Sequence, residues 1–154
     1  MNNAAESRSI PFAALVLGLA GLVPFGVAAV SQWIEVPHVS PAFGIVAAAT
    51  YGAVILSFLG GIRWGTALKT IAGPRQSREL LASVLSSLVG WLALLLSPIV
   101  GLSLLIAGFL LQALWDVLSV EKGYLPLWFG KLRMLLTAGA VIALFSILAR
   151  LTVN

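Results

Sequence analysis

The chain has 154 residues, 60% hydrophobic and only 9% charged, far from the roughly one-quarter charged content of soluble domains, which excludes a water-soluble monomer. Its net charge of +4 comes from Lys and Arg beside apolar runs, where they orient helices and meet lipid headgroups; no basic stripe alternates with aromatics as a nucleic-acid groove requires. With no Cys and a single His, one chain cannot assemble a zinc site, an iron–sulfur cluster or a bis-His haem, so no metal and no cofactor is expected.

Five apolar runs, each reaching the about 20 residues a spanning helix needs, predict an all-α integral membrane protein. The expected architecture is a five-helix bundle forming one membrane domain over 10–154, after a short polar segment over 1–9. The first helix is placed at 10–33, with a kink near Pro24 where the ring removes a hydrogen-bond donor. A cleaved signal peptide is the rival for this run, but the apolar stretch exceeds the about 7–15 residues of a signal core.

A short extended loop with Pro37, His38 and Pro41 leads to the second helix at 42–68. A basic loop follows, in which Gly73-Pro74 breaks the chain and Ser77 is a candidate N-cap for the third helix at 79–96. Ser97-Pro98 makes a tight hairpin to the fourth helix at 99–120. The connection over 121–131 holds Tyr124, Trp128 and Phe129 and reads as a segment lying in the interface, before the fifth helix at 132–151.

Eight of the nine basic residues, Arg8, Arg63, Lys69, Arg75, Arg78, Lys122, Lys131 and Arg133, fall at one end of these helices, and only Arg150 at the other. The positive-inside rule then predicts the N-terminus inside and the C-terminus outside. His38 and Glu35 face outward as loop residues.

On the second helix Ala49, Ala53, Ser57, Gly61 and Gly65 recur every four residues. Small residues let another backbone approach closely, so this stripe is a candidate helix-packing face, within the subunit or toward a homodimer or membrane-protein partner. Arg63 and Asp116 stand out because charges inside spans are costly and face protein or water. At 1.5 Å per residue Arg63 lies about 9 Å before Lys69 and Asp116 about 7 Å before Glu121, one depth on two helices, which suits a bidentate pair. Arg133 is close enough in depth to complete a triad, Gln112 lies one turn before Asp116, and Trp64 and Trp115 flank the charges. Gly60 shares the face of Arg63, whereas Gly61 and Gly65 point elsewhere. Tyr51 reads as an outer-half interface residue, and Trp91 as one packed inside the bundle.

The strings FLGGIRWG over 58–65, Trp115-Asp116 and LPLWFGKLR over 125–133 together resemble a family of small membrane proteins of unknown function related to mitochondrial transmembrane protein 69. The likeness runs over about 11–152, and Gly-Gly-Ile-Arg-Trp-Gly is its most specific part. The resemblance implies a bacterial-type inner (cytoplasmic) membrane location and supplies no activity, substrate, cofactor or catalytic residue.

Three functions remain open on the residues. One is a non-enzymatic structural, accessory or assembly component of a larger membrane complex, with Arg63, Asp116 and Arg133 as a clamp. Another is a small carrier or channel for an ion, proton or lipid-like solute, although transport sites usually lie near the midplane and these charges do not. The third is binding of a quinone or anionic lipid between Arg63, Trp64, Trp115 and the segment over 124–129. An enzyme is not expected, because no nucleophile with a base and no paired acids are in view.

Overall fold

The protein is described here from a computed structural model covering residues 9–69 and 73–153. The basic loop expected over 69–78 lies partly outside these residues, and Arg8 lies outside them. Six helices make five spans: α1 (Phe12–Ala20) and α2 (Val23–Val30) form the first, and α3 (Pro41–Leu68), α4 (Pro74–Leu95), α5 (Pro98–Glu121) and α6 (Leu127–Val153) the others. The chain is thus a multi-pass helical membrane protein, and its outer surface shows it. Leu17, Phe58, Leu111 and Ile142 are each more than 60% exposed, a distribution stable only against lipid tails.

The first span breaks at Gly21-Leu22, just ahead of Pro24. Pro24 offers no N–H to the carbonyl one turn earlier, so the helix stops and restarts. The Tyr51 hydroxyl donates to the Gly21 carbonyl at 3.0 Å, and its ring meets Phe25 edge-on at 5.1 Å. Tyr51 is therefore an interhelical clasp and not an interface residue: the broken span leaves a carbonyl for it to satisfy, and a polar group in lipid needs a partner.

Ser40 caps α3, its hydroxyl accepting from the Phe43 N–H at 3.2 Å. The hairpin between α4 and α5 has the expected shape, with Leu96 extended and Pro98 opening α5. Two boundaries differ from expectation in the same way. Instead of breaking the chain, Pro74 opens α4 after Gly73 at φ 157°, five residues before the expected start, because a ring with preset φ and no N–H suits the first helical turn. Ser77 then sits inside that turn, its hydroxyl 3.4 Å from the Gly73 carbonyl, and caps nothing.

Likewise α6 begins at Leu127, so Trp128 and Phe129 form its first turn and no separate interfacial segment exists. The end of α5 is sharp because Gly123 adopts φ 73°. The Gly123 N–H then reaches the Val120 carbonyl and the Tyr124 N–H the Ser119 carbonyl, both at 2.9 Å, a Schellman closure that lets a short connection suffice.

The core runs through Phe25, Leu56, Leu102, Leu105, Phe109, Leu144 and Ile147. Helix α3 is central, packing on α2, α4 and α5. Its close contacts are made at Gly44, Gly52 and Gly60. A β-carbon on Gly60 would lie 2.6 Å from the Ser83 carbonyl of α4, and one on Gly90 of α4 would lie 2.9 Å from the Ala53 carbonyl. The expected stripe therefore holds only in part. Ala53 is buried, Ala49 and Ser57 are half-buried, and Gly61 and Gly65 are exposed with open space where a side chain would go. A four-residue repeat drifts by about 40° per step on a helix of 3.6 residues per turn, so its last members rotate off the α4 face that Gly60 occupies. Trp91 is likewise 59% exposed and meets lipid, not the core.

Candidate functional site

Four ionised side chains from four helices converge at one end of the bundle. Arg63 projects from α3, about a turn and a half before its end; Asp116 holds the matching position in α5. The early starts of α4 and α6 carry Glu79 and Arg133 a similar distance inside. All four are nine-tenths buried or more.

Asp116 is the hub. Arg63 Nη2 donates to its Oδ1 at 2.5 Å, and Arg133 Nε to its Oδ2 at 2.8 Å. The other end of the Arg63 fork, Nη1, donates to Glu79 Oε2 and to Ser119 Oγ, each at 3.2 Å. The Ser119 hydroxyl in turn donates to the Trp115 carbonyl at 2.8 Å. Two guanidinium and two carboxylate groups sum to zero, so the network carries no net charge into the low-dielectric interior. The planar fork of Arg63 suits this duty, spanning two acids on two helices where an ammonium would offer only a point charge.

The flanking residues divide. Trp115 covers the cluster, with the Arg63 guanidinium 5.1 Å from its ring centre, a cation–π contact. Trp64 turns outward at 46% exposure and shields nothing. Gln112 is buried but belongs to a separate polar tie one turn deeper. Its Nε2 donates to the Leu59 carbonyl at 3.4 Å, and the Ser86 hydroxyl lies 3.2 Å from its Oε1, joining α3, α4 and α5.

Arg63, Asp116 and Arg133 meet as expected, but Arg63 and Asp116 do not form the expected bidentate pair: Arg63 gives Asp116 one bond because Arg133 takes the second oxygen, and its other arm turns to Glu79 and Ser119. Glu79 is not among the expected residues, because a third helix that starts there leaves its carboxylate at the membrane boundary. Charge balance is the signal that finds it: Arg63 and Arg133 against Asp116 alone would leave one uncompensated cation inside the membrane. Among the described residues four buried donors or acceptors have no hydrogen-bond partner, all toward this end: Arg63 Nε, Arg75 Nε, Arg133 Nη2 and Thr137 Oγ1.

Among the described residues no group of three or more His, Cys, Asp or Glu side chains is placed to hold a metal ion. Both Asp116 oxygens accept from guanidinium groups, an arrangement suited to holding helices together.

Residues 10–149 match the family described as Protein of unknown function (DUF3429). The chain is 40% identical over 149 residues to Transmembrane protein 69 of Xenopus tropicalis, covering 94% of this chain and 55% of that protein. It is 35% identical over 136 residues to Transmembrane protein 69 of Mus musculus, covering 86% of this chain and 54% of that protein. The chain thus spans about half the length of these curated relatives. No solved structure matches it significantly.

Proposed function

The chain belongs to the DUF3429 family of proteins of unknown function, and from that membership and the closed charge network we propose that it is a non-enzymatic membrane protein, an accessory or assembly component of a larger complex. The observation that carries this reading is the double engagement of Asp116 by Arg63 and Arg133. A carboxylate held on both oxygens by guanidinium groups is a poor proton donor and a poor nucleophile, and serves to fix α3, α5 and α6 in register. Glu79 extends the same clamp to α4.

The proposed setting is a bacterial-type inner membrane with the clamp at the inside face. Lys69, Arg75, Arg78, Lys122 and Lys131 lie at the clamp end of their helices and Arg150 at the opposite end, the asymmetry that orients a polytopic protein.

Affinity purification at native expression in mild detergent, with quantitative mass spectrometry, tests the role. The expected outcome is a stoichiometric membrane-protein partner whose recovery drops for Asp116→Asn. Transport of a defined ion or solute by the protein reconstituted alone in liposomes, lost in the same variant, would replace this reading with that of a carrier.

A further inference from the structure

Beneath α1 lies a crevice of about 370 Å³ between the first span and the body formed by α3, α5 and α6. It exists because α1 packs loosely. No residue of α1 is buried, whereas α2, beyond the break at Gly21-Leu22, sends Phe25 into the core. Leu17 at 72% exposure and Phe58 at 66% stand among its lining residues, so the crevice opens sideways toward lipid tails.

Two features separate it from a plain packing defect. Arg133 and Thr137, one turn apart on α6, both line it. Each carries a buried polar atom with no partner, Arg133 Nη2 and Thr137 Oγ1, and such atoms are costly in an apolar medium unless something accepts from them. The walls also bring Phe25, Phe58, Phe109, Trp128 and Phe129 around one space, a setting for a flat ring stacked offset or edge-on.

We propose that this crevice binds a membrane quinone: a neutral ring whose carbonyl oxygen accepts from Arg133 Nη2 and Thr137 Oγ1 after these two side chains turn to bring their covered atoms to the crevice wall, with its chain leaving past Leu17 into the bilayer. The volume falls in the range of small-molecule sites, about 300–1,000 Å³. The neutral head follows from charge. Arg63 and Arg133 are already matched by Asp116 and Glu79, so an anionic headgroup would bring an unpaired negative charge, whereas a carbonyl needs only the two idle donors. The site lies apart from Trp64 and Trp115, and its occupancy is independent of whether the protein serves a larger complex.

The test is a titration of the purified full-length protein in detergent with a decyl-substituted benzoquinone, read by quenching of tryptophan fluorescence. Saturable quenching that largely disappears in Trp128→Phe places the ring in the crevice. Thr137→Val, which keeps the shape and removes the hydroxyl, is expected to weaken binding roughly fivefold. Ala14→Phe, plugging the crevice from the loosely packed α1, is expected to abolish it while leaving the thermal midpoint unchanged. The proposal is overturned by quenching that never saturates, by affinities in Thr137→Val and Ala14→Phe equal to that of the unaltered protein, or by an anionic lysophosphatidic acid that reverses the quenching at concentrations below that of the quinone.

Discussion

Asp116 is the residue on which most of the buried charge depends. With its carboxylate neutralised, Arg63 keeps Glu79 and Ser119, and Arg133 loses the carboxylate it donates to. Asp116→Asn is therefore expected to cost about 3–5 kcal/mol, the usual penalty of stranding a buried charge. Glu79→Gln likewise leaves one cation in excess, but it keeps both Asp116 bonds and a neutral acceptor for Arg63, so it costs less, about 1–3 kcal/mol. Thermal unfolding of the two variants in one detergent gives this order, and equal midpoints would deny Asp116 its central place. Tyr51→Phe removes a single bond to the Gly21 carbonyl and should lower stability by about 1 kcal/mol. Much of this cluster is legible from residue types: Arg63, Asp116 and Arg133 lie at one depth by counting, and they do meet. Glu79 is not legible without its helix start, because five residues of helix turn an interfacial acid into a buried one.

At the scale of the elements, the glycines of α3 separate two faces that sequence spacing merges. Gly60 abuts the Ser83 carbonyl of α4, while Gly61, its neighbour, borders open space. Gly60→Ala drives a methyl group into backbone and should destabilise α3–α4 packing by about 1–3 kcal/mol, as overpacking does. Gly61→Ala should be neutral or stabilising by up to about 1 kcal/mol through helix propensity alone. Paired melting curves check the contrast, and a loss at Gly61 equal to that at Gly60 would mean that a second chain covers the exposed face. Helix existence was readable from apolar runs, and the hairpin at Ser97-Pro98 was readable from its punctuation. Starts at Pro74 and Leu127 were not, since Pro both ends the preceding structure and begins the next, and only the closure at Gly123 and the packing of Gly130 on Val120 show which wins.

Across the whole molecule, five spans stand in lipid, and among the described residues every buried charge lies at one end. Helices α3 and α6, with 28 and 27 residues, exceed the about 20 needed to cross, so they tilt or project into the headgroups. The opposite end is closed more lightly: Arg150 Nε donates to the Gln32 carbonyl at 3.2 Å, and Trp33 Nε1 donates to Ser146 Oγ at 2.9 Å. The proposed orientation makes a direct prediction. The natural chain has no Cys, so Glu35→Cys and Arg78→Cys can be labelled one at a time in intact bacterial cells with an impermeant maleimide. Glu35→Cys should react from outside and Arg78→Cys only after lysis; the reverse pattern would invert the topology.

By itself the sequence determined that this protein lives in a membrane, how many times it crosses, and which charges must find partners there. Those properties follow from local sums, namely apolar length against bilayer thickness and the cost of an ion in lipid, and both can be counted along one chain. Tertiary structure alone decided that Glu79 joins the clamp, that Gly60 and not Gly61 carries the helix contact, that Tyr51 ties a broken span, and that α1 stands off to leave a crevice beside Arg133 and Thr137. These depend on helix rotation and starting point, where a shift of one residue turns a side chain by about 100°, and only packing against the other helices sets that angle.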